Sequence, residues 1–277
     1  LPGRKLKCLE PAHAGCCETE RRMRKILGRE EIGAILVEPI QGRGGCNIPP
    51  PDFLPLLQTL CREYGVLLIL DEIYTGFGRT GKWFACEHSG VAPDVICLGK
   101  ALTGGFPLSA CVGRANVMDA AWPPSRGEAI HTSTFLGHPV GCAMALAQIL
   151  EIRRLCLPER SAKLGEFLLR QLRSRIANRE FQIAARGVGL MVGLELRKAD
   201  GLPATEPALC AIKLILQRGF IPLPEGENGK DISLTPPLTI TAAQLAETVR
   251  ALANVLECGD LSPLSSLVIC RQPRQDK

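Results

Sequence analysis

The sequence predicts an α/β protein with a mostly parallel sheet in a large unit, followed by a smaller α+β unit. Three observations predict it. Short runs that are apolar on both faces, at residues 34–37, 66–70 and 95–98, alternate with a helical period and Gly/Pro-rich loops; such strands belong in parallel sheets covered by helices. Each run stops at or just before a polar side chain, Glu38, Asp71 or Lys100. After about residue 157 the order changes to helix, strand, helix, strand, helix.

Residues 18–27 mix both charges with a weak helical period and form a surface helix. The first buried strand, 34–37, ends at Glu38-Pro39, and a Gly/Pro-rich loop runs from Gln41 to Pro51. Asp52 is the expected N-cap of the next helix, which places Phe53, Leu56, Leu57, Leu60 and Tyr64 on one face. Gly65 ends it, and residues 66–70 complete a βαβ unit. A third strand, 95–98, leads to Gly99-Lys100, and a fourth covers 108–112. Residues 139–155 read as a helix with Gly141, Ala143, Ala145 and Ala147 on one face. Beyond it are a helix at 161–175, a strand at 189–196, a helix at 208–218, a strand at 232–234 and a helix at 242–256 capped by Thr241. Residues 259–277 have Ser, Pro and Arg without a period and read as a disordered tail. The expected division is therefore 1–156, 157–258 and 259–277.

Composition narrows the function classes. The 277 residues carry 33 basic and 28 acidic side chains, a formal charge of +5, and 46% are hydrophobic, enough for a sizeable core. The basic residues form no stripe interleaved with aromatics, which are only 4%, so a nucleic-acid surface is not expected. No apolar run reaches membrane-spanning length and no signal peptide follows Leu1, so no membrane partner and a cytoplasmic location are expected. Thirteen cysteines without a single CxxC pair read as buried free thiols in a reducing compartment. His13, His88, His131 and His138 show no metal-ligand spacing, so no metal is expected.

In open parallel sheets ligands bind outside the carboxyl ends of the strands, which is where Glu38, Asp71 and Lys100 fall. A sheltered lysine can form a Schiff base with a carbonyl compound. A carboxylate beside it can hold a protonated pyridine nitrogen, and the two together meet the requirements of pyridoxal phosphate. Gly76 to Lys82 also fits G-x-x-x-x-G-K, but Trp83 stands where a P-loop needs Ser or Thr, and no helix follows.

Leu70-Asp71-Glu72-Ile73-Tyr74-Thr75-Gly76-Phe77-Gly78-Arg79-Thr80-Gly81-Lys82, with Pro93-Asp94-Val95-Ile96-Cys97-Leu98-Gly99-Lys100-Ala101-Leu102-Thr103-Gly104-Gly105, resembles the signature of the class III aminotransferases. These are fold type I enzymes that use pyridoxal 5'-phosphate, among them 4-aminobutyrate, ornithine and acetylornithine aminotransferases. Glu38-Pro39-Ile40-Gln41-Gly42, residues 132–139, residues 186–191 and Pro236-Pro237-Leu238 match as well, so the resemblance covers about residues 30–257.

The resemblance implies that Lys100 carries the cofactor as an aldimine and shuttles a proton, and that Asp71 pairs with the pyridinium nitrogen. Ile73 would pack on the ring, Tyr74 would stand where many relatives have a glutamine, and Thr134 would bind the phosphate of a second subunit in a homodimer. It implies transfer of an amino group between an amine or amino acid and a 2-oxo acid. Aminomutase, decarboxylase or racemase chemistry on the same fold stays open, as does a silent structural remnant. Some relatives carry a glutamate at the position of Arg43 and a carboxylate-binding arginine at that of Ser233. Here the positive charge stands at Arg43, which, with Glu38 beside it, is the expected substrate-binding group. Relatives extend further on the N-terminal side, where the phosphate-binding dipeptide lies, so the sequence reads as the C-terminal portion of such an enzyme.

Overall fold

The computed structural model describes residues 5–8, 16–29, 31–122, 124, 127, 133–176 and 180–257. The expected tail, His131, and Thr132 of the matching motif lie outside them.

Five strands form the first sheet: β1 (Lys5–Cys8), β2 (Ile32–Val37), β3 (Leu67–Asp71), β4 (Val95–Leu98) and β5 (Ala110–Gly113), in that spatial order. β1 through β4 run parallel, and β5 returns antiparallel to β4 with Cys97 opposite Cys111. The in-order arrangement places the carboxyl ends of β2, β3 and β4 side by side. β1 went unread because its Lys-Leu-Lys-Cys sequence lacks an apolar run.

Helices α1 (Cys16–Leu27) and α2 (Phe53–Tyr64) pack on this sheet. Met23, Leu27, Leu54, Leu57, Leu60 and Cys61 share a core with Ile35, Leu68 and Leu70. Gly65 ends α2 in the left-handed conformation, φ 63°. Asp52 does not cap it: the residue is itself helical, φ −85° and ψ −8°, so its carboxylate makes no bond to the first-turn amides. Helix α3 (Ala115–Ala121) follows β5.

In α4 (Pro139–Arg154) the small residues divide between two faces, since residues two apart point about 200° apart. Gly141 and Ala145 are buried, Gly141 against Phe106 and Leu108, whereas Ala143 and Ala147 are exposed among Val140, Leu146 and Leu150.

Four antiparallel strands form the second sheet, in the order β6 (Phe181–Val188), β7 (Met191–Lys198), β9 (Asp231–Leu234), β8 (Leu223–Glu225). Helices α5 (Leu157–Arg175), α6 (Thr205–Gln217) and α7 (Ala242–Glu257) bury a separate core against it, built on Leu168, Leu172, Leu194, Leu196, Ile215 and Leu252. Two of these strands were not anticipated. β6 places Gln182 and Arg186 among small residues. β8 is three residues long with Pro224 at its centre, which the sheet tolerates because β8 lies at its edge. α5 starts four residues earlier than expected, with Pro158 in its first turn, where a missing amide costs nothing. Thr241 and Gln244 cap α7 reciprocally, Thr241 Oγ1 accepting from Gln244 N at 3.2 Å and Gln244 Oε1 from Thr241 N at 2.9 Å.

The P-loop look-alike joins the two sheets. Arg79 donates to the carbonyls of Leu190 (3.0 Å) and Pro236 (2.6 Å), and its own carbonyl accepts from Leu190 N and Ser161 Oγ. Gly189, at φ 56° in the β6–β7 turn, sits against Thr80 and Gly81. Four cysteines (Cys46, Cys61, Cys86, Cys210) are buried, but Cys17, Cys111, Cys142 and Cys156 are exposed. The thiol expectation therefore holds for only part of the set. Among the described residues no helix is long and apolar enough to cross a membrane, and no cluster of possible metal ligands occurs.

Candidate active site

β3 delivers two adjacent carboxylates with different surroundings. Glu72 is fully buried and accepts from Ala85 N (3.0 Å), Cys86 N (2.8 Å) and Thr75 Oγ1, which fastens the turn at Ala85–His88. Asp71 is half-buried, and its Oδ1 accepts the Ile73 amide at 3.0 Å. Its remaining lone pairs can take a cationic N–H. Ile73 lies against Gly99, where a Cβ would come within 3.3 Å of Ile73 Cγ2.

Lys100 follows β4 at φ 42°, a left-handed conformation that is unfavourable for a side chain of its size. It is exposed, and its Nζ stands over the Tyr74 ring, 4.2 Å from the centroid. Tyr74 in turn reaches the second sheet: its hydroxyl lies 3.3 Å from Thr235 Oγ1 and 3.5 Å from Glu225 Oε1.

The loop after β2 forms the third wall. Gln41 and Asn47 exchange backbone bonds of 3.1 and 3.0 Å, and Glu38 Oε2 accepts the Gly42 amide at 2.9 Å. Glu38 thus shapes the loop. Gly42 faces the Tyr74 ring, which leaves no room for a Cβ. Arg43 is exposed at the loop tip, and its carbonyl accepts from Gly226 N at 3.0 Å. The loop base is held by Arg186, which donates to the carbonyls of Gly45 and Cys46 and pairs with Glu195 (2.6 Å) and Asp231 (2.5 Å). Thr134 is exposed on the turn that precedes α4.

Asp71, Ile73, Tyr74 and Lys100 therefore follow the carboxyl ends of the adjacent strands β3 and β4, with Glu38 and Arg43 on the loop after β2. Thr134 comes from a separate turn. Sequence reading missed Glu225. This carboxyl is 4% exposed, and burial raises it above the ordinary carboxylate range. The Ser233 and Tyr74 hydroxyls and the Arg43 and Lys100 charges oppose that shift. Nothing in Leu223-Pro224-Glu225 signals a site, because the approach of β8 to Tyr74 is purely tertiary.

The donor set fits pyridoxal 5'-phosphate in chemical type. It offers a primary amine, a carboxylate with open lone pairs, and an apolar side chain between them. For the phosphate, Thr134 is the hydroxyl singled out among the described residues.

Residues 4–256 match the family described as aminotransferase class-III. The chain belongs to this family. As a class III aminotransferase family member it is 43% identical over 230 residues to putrescine aminotransferase of Pectobacterium atrosepticum, covering 82% of this chain and 47% of the relative. It is 40% identical over 227 residues to acetylornithine aminotransferase of Methanothermobacter thermautotrophicus, covering 82% and 54%. A solved amine transaminase from an uncultivated Pseudomonas species, in the PLP-bound internal aldimine form, superposes with a TM-score of 0.77 at 35% identity, over 87% of this chain and 55% of that one. The fold is thus that of these family members, and the chain spans about half the length of the curated relatives it matches. The family match begins at residue 4, ahead of the region read from motifs, and takes in the charged strand β1.

Proposed function

We propose that this protein is a pyridoxal 5'-phosphate-dependent aminotransferase that moves an amino group between an amine or amino acid and a 2-oxo acid. The observation that carries this reading is the placement of Asp71 and Lys100 at the carboxyl ends of the adjacent strands β3 and β4, with Ile73 packed against Gly99. The names of its relatives, putrescine and acetylornithine aminotransferases, support the reaction class.

When bound, the cofactor supplies an electron sink for carbanion chemistry. The chain supplies the rest. The Asp71 carboxylate would hold a proton on the ring nitrogen, and Ile73 would cover one ring face. Lys100 Nζ would hold the cofactor and would accept and return a proton during the transfer. Tyr74 limits where that amine can swing, since its ring already lies under Nζ. Arg43 binds the carboxylate of the 2-oxo acid, a task for which a guanidinium offers two parallel bonds. The protein acts as a homodimer in which Thr134 is offered to a second copy. The exposed apolar surface of Phe135, Leu136, Val140 and Leu146 beside it supports that arrangement. Free buried thiols support a reducing, cytoplasmic location.

The test replaces Lys100 with alanine. The visible absorbance of lysine-bound cofactor and the transfer of nitrogen from an amine to a 2-oxo acid should both disappear. Full transaminase activity in Lys100→Ala would end the reading. Inversion of an amino acid without nitrogen transfer to the acceptor would select a racemase instead.

A further inference from the structure

Cys97 of β4 and Cys111 of β5 stand directly opposite each other in their antiparallel ladder. Two backbone bonds fix what kind of pair this is. The Cys97 carbonyl accepts from Glu72 N at 3.0 Å, so this part of the Cys97 backbone faces β3 rather than β5. At the far end of the ladder the Asp94 carbonyl accepts from Arg114 N at 3.0 Å, which makes that pair a hydrogen-bonded one. Hydrogen-bonded and non-bonded pairs alternate, so Cys97 and Cys111, three positions along, form a non-bonded pair. In such pairs the Cα atoms are about 4.5 Å apart and the side chains approach most closely. A disulfide needs Cα atoms about 4.4–6.8 Å apart and side chains on one face, which this register supplies. Cys111 is exposed on the edge strand of the sheet, and Cys97 is half-buried. Burial holds the Cys97 thiol above its usual range, and the neighbouring Cys111 and Asp71 act in the same direction. The reactive thiolate therefore forms less readily at Cys97, and a reagent meets the exposed Cys111 sulfur first. In the parallel ladder on its other side Cys97 is the partner of Asp71, and Lys100 follows three residues on.

We propose that Cys97 and Cys111 are a dithiol modification site, which a low-molecular-weight disulfide converts to a cross-strand disulfide. The Cys111 thiolate attacks one sulfur of the reagent, whose S–S bond breaks, and one small thiolate leaves and takes up a proton. The Cys97 sulfur, giving its proton to solvent, then attacks the Cys111 sulfur of the mixed disulfide and expels the second small thiolate, which is protonated in turn. The protein loses two hydrogens and the reagent gains them. The ring so closed encloses residues 98–110, and with them Lys100 in its left-handed conformation, φ 42°. Closing a ring removes the open forms of the segment inside it. Oxidation therefore holds Lys100 at the end of β4 and ties the edge strand β5 to the sheet. In reducing surroundings the dithiol is the resting form, and the site responds when the thiol pool is oxidised. The proposal stands on strand register and is independent of the reaction assigned to Lys100.

The experiment exposes the whole chain, without substitution, to 2-hydroxyethyl disulfide, blocks the remaining thiols with N-ethylmaleimide and digests with trypsin without reduction. Cleavage after Lys100 and Arg114 puts the two cysteines on separate peptides, so a linked pair of peptides reports the bond. Tandem mass spectra are expected to place the link at Cys97 and Cys111, and dithiothreitol should abolish it. Cys97→Ser should instead keep the small thiol attached to Cys111, and Cys111→Ser should leave Cys97 reduced. Amide hydrogen exchange across residues 98–110 should slow by at least about 10-fold in the oxidised chain, because openings that part β5 from β4 are blocked. A lasting small-thiol adduct on Cys111 of the unsubstituted chain overturns the proposal. Linkage of Cys111 to a different cysteine or to a second copy overturns it too, as does a chain in which both thiols stay reduced. Exchange that oxidation leaves unchanged overturns the constraint on the Lys100 segment.

Discussion

Glu225 has a consequence for stability. Its carboxyl is raised above the usual carboxylate range by burial, against the pull of the Ser233 and Tyr74 hydroxyls and of Arg43 and Lys100. An unfolded glutamate titrates near about 4.3. Between that value and the higher folded one, the native state holds more protons than the unfolded state, so stability falls as pH rises through the window. Asp231, raised by burial despite Arg186, contributes with the same sign. Glu225→Gln removes only the first contribution. Its urea midpoint should match that of the parent below about pH 4 and exceed it progressively as pH rises toward neutrality. A variant less stable than the parent at pH 7 would show that Glu225 is satisfied in solution. At this scale the sequence was partly legible. Lys100 and Asp71 could be found because strand ends point at crevices, and Tyr74 and Ile73 because they follow Asp71 closely. Glu225 could not be found, because its partner Tyr74 is 151 residues away.

Among the elements, the contact between α5, the β6–β7 turn and the Gly76–Lys82 loop decides how the two sheets meet. Gly165 of α5 faces the Gly189 backbone so closely that a Cβ would overlap the carbonyl. Backbone cannot move aside as a flexible side chain can. Gly165→Ala should therefore lower stability by about 1–3 kcal/mol or more, although alanine is the better helix former by about 1 kcal/mol. Chemical denaturation checks the sign, and a gain in stability would mean that α5 shifts freely along the turn. The parallel strands were legible because each is an apolar run between turn signals. β6 and β8 were not, since one carries Gln182 and Arg186 and the other centres on a proline. The glycines of the P-loop look-alike serve close packing: Gly78 lies against Pro158 and Leu238, and Gly81 against Ala162.

For the molecule as a whole, the exposed face of α4 bears on assembly. Val140, Leu146 and Leu150 are exposed there, Leu146 by 60%, and Phe135 and Leu136 continue the apolar area on the turn that bears Thr134. Scattered exposed apolar residues are ordinary, whereas a contiguous patch of this kind marks an interface. A charge placed in it should separate the proposed homodimer. Leu146→Glu is expected to shift the sedimenting species from dimer toward monomer and to weaken cofactor retention with it, because Thr134 would lose its second copy. A dimer that persists unchanged would place the interface elsewhere.

The two sheets also bury two separate cores, one around Leu60, Leu68 and Leu70 and one around Leu168, Leu194 and Ile215. Between them lie a third cluster of Phe77, Leu98, Leu102, Ile152 and Leu157, the small apolar cluster of Ile40, Cys46 and Met191, and the guanidinium–carbonyl bonds of Arg79 and Arg186. Cooperativity in unfolding comes from shared burial, and here the burial is divided. Heat is therefore expected to act on the two cores partly independently, and calorimetry should resolve more than one transition. The arginines at the seam couple the two cores, since a lysine in their place would keep the charge but lose the planar fork that reaches two carbonyls at once.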